Sequence, residues 1–188
     1  MDRRDFWVFG YGSLMWNPGF PFEERRHAIL PGFHRRFCIR STIYRGTPEQ
    51  PGLVLGIDAG GECNGMAFRV AGDQREAVLT YLYDRELPNK VYTPTWVSVL
   101  IDGVLTEALT FVVKRDHRQF TCLSEDEMSS IIATIAFSST GGVCGNFSAM
   151  RLAMSNRVNP SGIVSLIVRS SPSSSCLSTW SVVIGEGN

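Results

Sequence analysis

Phe6-Trp7-Val8-Phe9-Gly10-Tyr11-Gly12-Ser13-Leu14-Met15-Trp16 is the stretch on which the reading of this chain turns. Residues 5–11 are aromatic and β-branched with no polar alternation, the pattern of a strand buried on both faces. Gly10, Gly12 and Ser13 break that strand sharply. A strand ending in Gly-x-Gly-Ser brings backbone N–H groups together, which suits an anion or a developing oxyanion. The same four residues also serve as a plain tight turn. Met15 stands where a Gly-x-Gly-x-x-Gly dinucleotide fingerprint needs its third glycine, and where a Gly-x-Ser-x-Gly nucleophile elbow needs its last. Neither fold is supported.

Outward from this point the chain reads mostly as short extended segments. Arg25 to Tyr44 is extended, with an interruption at Pro31-Gly32, and Gly46 to Pro51 is a loop. Leu53 to Ile57 and Met66 to Val70 are strands around a turn at Gly60-Gly61. Val91 to Ile101 and Thr106 to Val113 form a hairpin about Asp102-Gly103. Two helices stand out. Residues 73–86 follow a cap at Gly72 or Asp73, with Glu76 at capping-box distance, and stop before Pro88. A second opens at Ser124, with Glu127 three residues on and an apolar stripe of Met128, Ile131, Ile132 and Ile135. Many strands and few helices, without strict alternation, predict an α+β fold with a mixed or mainly antiparallel, barrel-like sheet.

The chain has 188 residues, enough for one ordinary domain; 44% are hydrophobic and 19% charged, so it has the means to bury a core. Lys+Arg and Asp+Glu are 18 each, which speaks against a nucleic-acid binder or a membrane-surface protein held by bulk charge. No apolar run reaches membrane-span length, and the charged start Met1 to Asp5 shows no signal peptide. The five cysteines (Cys38, Cys63, Cys122, Cys144, Cys176) show no Cys-x-x-Cys spacing, and the three histidines no metal motif. The expectation is a reduced, cytoplasmic protein with no metal and no cofactor.

Three places carry candidate chemistry. The Gly10–Ser13 turn is the first. Glu86 is the second: it extends the Leu79–Leu82 stripe to the negative end of its helix, and both burial and the macrodipole raise a carboxyl pKa there. It serves as a proton shuttle, or as an ion-pair partner of Arg85 or Lys90. The third is Arg35-Arg36-Phe37-Cys38-Ile39-Arg40, a strand whose arginines, Arg36 above all, face solvent. In it Arg40, with Ser41, Tyr44 and Arg45, is placed to line a polar pocket for a carboxylate. Cys38 has no visible base partner, so a Cys–His nucleophile is not expected.

Taken together, these motifs resemble the ChaC-like γ-glutamylcyclotransferases. Trp7 to Trp16 resembles that family's N-terminal signature. Tyr44-Arg45-Gly46-Thr47-Pro48, then Pro51 to Gly56, then Cys63 to Val70 continue it in order, and Tyr81-Leu82-Tyr83-Asp84-Arg85-Glu86 with Tyr92 matches its catalytic helix end. The resemblance covers about residues 5–137. It implies a small mixed β-barrel with flanking helices, and a reaction that cleaves a γ-glutamyl amide, typically that of glutathione, to 5-oxoproline. It further implies Glu86 as catalytic acid/base and Val8, Phe9, Gly10, Tyr11, Gly12, Ser13 and Leu14 as the substrate-binding loop. Tyr92 and Arg40 complete the candidate set. Other γ-glutamyl amines as substrates, or a binding protein without turnover, are the competing expectations.

The tail departs from this pattern. Residues 138–188 hold only Arg151, Arg157, Arg169 and Glu186 as charges, against 13 serines. Family members continue with charged, helical sequence, so the tail points to a shifted reading frame or a divergent terminus. It is expected to be a peripheral, loop-rich segment, with apolar runs at Ile163 to Val168 and Trp180 to Ile184 suited to an edge strand.

Overall fold

The computed structural model describes residues 4–124, 126–128, 130–131, 150–158 and 164–170, the last two segments and residues 43–46 by their backbone only. Among the described residues there are seven strands: β1 (Phe6–Gly10), β2 (Glu24–Gly46), β3 (Pro51–Val70), β4 (Tyr92–Ile101), β5 (Val104–Val113), β6 (Met150–Val158) and β7 (Val164–Ser170). One helix of three turns, α1 (Arg75–Glu86), follows β3, and a single 3₁₀ turn (Ser13–Met15) follows β1.

The first five strands close a barrel in the order β1-β3-β2-β4-β5. The neighbours β1/β3, β3/β2, β2/β4 and β4/β5 are antiparallel. Closure comes from a short parallel contact of β1 with β5, Trp7 opposite Ala108 and Val8 opposite Leu109. β1 therefore has neighbours on both sides, which is why residues 6–10 carry no polar alternation: Val8 and Phe9 are fully buried.

The longest departure from the sequence reading is in β2 and β3. Pro31-Gly32 and Gly60-Gly61 bend strands instead of ending them. β2 runs 23 residues and β3 runs 20, paired almost throughout. The ladder shifts register between Pro31 and Phe33, and Gly32, Gly60 and Gly61 all have positive φ. Glycines at a bulge absorb the sharp bend that lets one long hairpin contribute to both sides of a barrel. His34 Nδ1 lies 3.0 Å from the Gly60 carbonyl at that corner. The Asp102-Gly103 hairpin forms as expected, both residues at positive φ, although β5 begins at Val104 and not Thr106.

α1 lies on the barrel through Val78 and Leu82, which are buried among Phe6, Val8, Leu14, Phe20, Phe68, Val70, Leu109 and Phe111. Its start differs from expectation. Gln74 is the N-cap residue, without a side-chain cap bond, so the Asp73/Glu76 box does not form. The Asp5 carboxylate takes the Gly72 N–H at 3.0 Å instead, and the same carboxylate is paired with Arg69 at 2.7 Å. Arg75 stacks over Phe6 (4.7 Å) and Trp96 (5.4 Å), pinning the first turn to the barrel wall. The Ser124 capping box does form: Ser124 N and Oγ both donate to Glu127 Oε2, and Glu127 N donates to Ser124 Oγ. Residues 126–128 and 130–131 are helical, Met128 packs on Phe37, Leu53 and Leu55, and Ile132 and Ile135 lie outside the described residues.

Within the tail, β6 and β7 pair antiparallel as a two-stranded sheet, taking up most of the Ile163–Val168 run. The Trp180–Ile184 run lies outside the described residues.

Candidate active site

α1 presents Val78, Leu82 and Glu86 four residues apart, so the face that buries two aliphatic side chains also carries the carboxylate. The stripe runs through Val78, with Leu79 only partly buried at its flank. The Glu86 side chain is 18% exposed and its Oε1 lies 3.1 Å from Arg85 Nε. Burial raises its pKa above the ordinary carboxylate value, with Arg85 opposing that shift. Glu86 is thus ion-paired with Arg85, one of its two sequence readings, and it still holds its proton more tightly than an exposed glutamate.

Arg85 also reaches across to the segment after β1. Its Nη1 donates to the carbonyls of Asn17 (2.7 Å) and Pro18 (3.2 Å) and to Tyr81 Oη (3.0 Å), and its Nη2 donates to Ser13 Oγ (3.0 Å). One guanidinium therefore joins the end of α1 to the Gly12-Ser13 turn. Its place next to Glu86 marks Arg85 in the sequence as an ion-pair partner, while its reach to Ser13 exists only once the barrel has folded.

The loop itself is tightly held. Gly10 is needed because a Cβ there would meet Leu14 Cβ at 2.9 Å. Thr110 Oγ1 donates to the Phe9 carbonyl (3.0 Å), and Arg35 Nε donates to the Tyr11 carbonyl (2.8 Å). Gly12 differs: a Cβ built on it meets nothing within 4 Å, so open space adjoins this residue. Val8, Phe9 and Leu14 are core side chains, so only their backbone is available to a ligand.

Two phenols lie near the carboxylate. Tyr11 Oη donates to the Phe111 carbonyl (2.8 Å) and Tyr92 Oη to the Leu55 carbonyl (3.0 Å). Burial raises both pKa values, and the charge of Glu86 adds to both shifts. Glu86, Tyr11 and Tyr92 thus share one electrostatic neighbourhood with the Gly12-Ser13 turn.

Arg40 is not brought to this group. Its side chain is exposed, and its backbone N–H and carbonyl pair with Gln119 (2.8 and 3.0 Å). The segment after β5 runs beside β2 there, and Arg40 faces outward, where its charge adds slightly to the lowering of the Glu127 pKa that the Ser124 hydrogen bonds chiefly cause. Ser41 is buried, and the side chains of Tyr44 and Arg45 lie outside those described. Arg36 is half-buried and donates to the Leu123 carbonyl at 2.8 Å, so it is not on a solvated face. Cys38 is fully buried, and burial pushes its thiol pKa up to about 12. Among the described residues no group of three His, Cys, Asp or Glu side chains is arranged to hold a metal ion.

A sequence model of the ChaC-like protein family matches residues 6–160. The chain belongs to the ChaC-like family. The match includes every candidate site residue and runs past the change of composition at residue 137. The chain is 38% identical over 141 residues to the glutathione-specific γ-glutamylcyclotransferase of Escherichia coli, covering 74% of this chain and 60% of that protein. It is 36% identical over 152 residues to the protein of the same name from Schizosaccharomyces pombe, covering 68% of this chain and 72% of the relative. The crystal structure of a yeast γ-glutamylcyclotransferase specific to glutathione superposes with a TM-score of 0.62 at 23% identity, over 69% of this chain and 78% of that one. That likeness establishes the γ-glutamylcyclotransferase fold for this ChaC-like chain. No described helix is long and apolar enough to cross a membrane.

Proposed function

We propose that this chain is a γ-glutamylcyclotransferase that cleaves glutathione to 5-oxoproline and Cys-Gly, acting in the cytoplasm. The observation that carries the reading is the Arg85 bridge, which joins a largely buried carboxyl of raised pKa to a backbone turn with open space beside it. The names of the relatives support glutathione as substrate.

The reaction needs no nucleophile from the protein. The substrate's own α-amine attacks its γ-carbonyl carbon, forming the lactam C–N bond as the amide bond to cysteine breaks. Closing a five-membered ring is intramolecular, so holding glutathione folded supplies much of the rate. The α-ammonium gives up two protons in all and the departing amine gains two. Glu86 relays them, and a carboxyl with a raised pKa is suited to both halves of that relay near neutral pH. The Gly10–Ser13 turn stabilises the negative charge that develops on the γ-carbonyl oxygen. Tyr11 and Tyr92 keep the carboxyl in a neighbourhood poor in water, and Arg85 fixes where it points.

The test is 5-oxoproline release from glutathione set against a panel of other γ-glutamyl compounds. Release from glutathione well above the rest supports the reading. Faster release from another γ-glutamyl amine reassigns the substrate, and binding without release from any of them ends the enzyme reading.

A further inference from the structure

Arg35 has a feature that neither the barrel nor the proton relay uses. It is 4% exposed, and no carboxylate pairs with it among the described residues. Its Nε donates to the Tyr11 carbonyl, its Nη2 to the Asn64 carbonyl, and its buried Nη1 has no partner among the described residues. Guanidinium stays charged in proteins, so a whole positive charge is buried against two backbone carbonyls. Buried charges are ordinarily paired, and an unpaired one is retained at a cost in stability.

We propose that Arg35 is a positioning residue for the cyclotransferase reaction, its guanidinium fixing and polarising the Tyr11–Gly12 peptide so that the Gly12 N–H serves as oxyanion donor. The inference rests on the functional reading above. In a trans peptide the C=O and N–H point in opposite directions, and no cis peptide occurs among the described residues. Anchoring the Tyr11 carbonyl from inside the barrel therefore turns the Gly12 N–H the other way. That N–H has no acceptor among the described residues, whereas the Gly12 carbonyl is already used by Met15 N at 2.9 Å. The open space at Gly12 lies beside this donor. A charged donor on a carbonyl withdraws electron density through the amide, and hydrogen bonds linked in this way strengthen one another in a low-dielectric site. Thr110 supports the preceding Phe9 carbonyl with a neutral hydroxyl, so within the loop the charged donor acts on the Tyr11–Gly12 unit and not on the Phe9–Gly10 one.

The experiment uses the full chain and Arg35→Met, which removes the charge and keeps an unbranched side chain of similar length. Two readouts are taken: steady-state 5-oxoproline release, normalised to folded protein, and the Gly12 amide resonance of the ligand-free, ¹⁵N-labelled chain. Expected are a kcat lower by about 10–100-fold with KM within about threefold, below the loss seen when an oxyanion donor is removed outright. The Gly12 nitrogen resonance shifts upfield as the Tyr11 carbonyl loses its donor. A folded variant with wild-type kcat, with a raised KM alone, or with an unmoved Gly12 resonance overturns the proposal. Arg35→Lys keeps the charge and reaches only one of the two carbonyls; it carries the same readouts, with a smaller loss, if the Met variant does not fold. Should the wild-type chain release no 5-oxoproline, the cyclotransferase reading fails by itself, and the Gly12 resonance still decides whether Arg35 polarises the loop.

Discussion

In the proposed reaction Glu86 and Gly12 divide the chemistry between a side chain and a backbone group. Glu86→Gln is expected to leave the fold intact and to lower turnover at least about 100-fold, the low end of what a positioned acid/base supplies; near-normal release would remove Glu86 from the role. The same variant has a pH signature. The folded-state pKa of Glu86 is raised, from burial first, above the ordinary 4.5. Below that value the carboxyl is neutral whether the chain is folded or not, and its burial costs nothing extra. As pH rises through the folded pKa, the folded chain must bury a charge that the unfolded chain hydrates, and stability is lost. Thermal melts should show the gap between Glu86→Gln and wild type growing in the variant's favour as pH rises above the ordinary carboxylate value. Gly12→Val meets no neighbour in the protein, so it should melt near the wild-type temperature while KM rises and kcat falls. An unchanged KM would make the turn a turn and nothing more.

At the scale of elements, β1 is held so close to β3 that side-chain volume is excluded. A Cβ on Gly65 would meet the Gly10 carbonyl and the Phe9 ring. Gly65→Ala should therefore cost about 1–3 kcal/mol in denaturant unfolding, as overpacking does, and displace the Gly10 end of the loop with a drop in turnover. Wild-type stability would show that β1 shifts without penalty. The elements themselves were largely legible. The buried strand at residues 6–10, the helix ending at Glu86, the Asp102-Gly103 hairpin and the Ser124 box all follow from local chemistry, and each formed. Gly60-Gly61 reads as a turn between two strands but bends one, because glycine marks both a turn and a bulge and only the facing strand distinguishes them; the interruption read at Pro31-Gly32 is a register shift within β2.

For the whole molecule, closure of the barrel lies within residues 6–113, through the parallel β1–β5 contact, while β6 and β7 pair with each other. A chain cut after residue 140 is accordingly expected to fold and to release 5-oxoproline. A folded, inactive truncation would place a pocket residue in the tail, a result made meaningful by the family match reaching residue 160.

What the sequence determined by itself was what depends on neighbours along the chain: strand and helix identity, the tight turn after β1, and Glu86 on the buried face of its helix. The family could also be read there, because its signature lies in five local blocks. Tertiary structure alone decided which of the arginines matter and how. Arg35, Arg36 and Arg40 lie on one strand and read alike, yet one is buried under Tyr11, one is bound to Leu123 and one faces outward beside Gln119. Arg35 and Arg36 meet carbonyls brought from 24 and 87 residues away, while Arg40 pairs through its backbone with Gln119, 79 residues away. Periodicity carries no information about such partners, because a guanidinium's environment is set by closure of the sheet and not by its own strand.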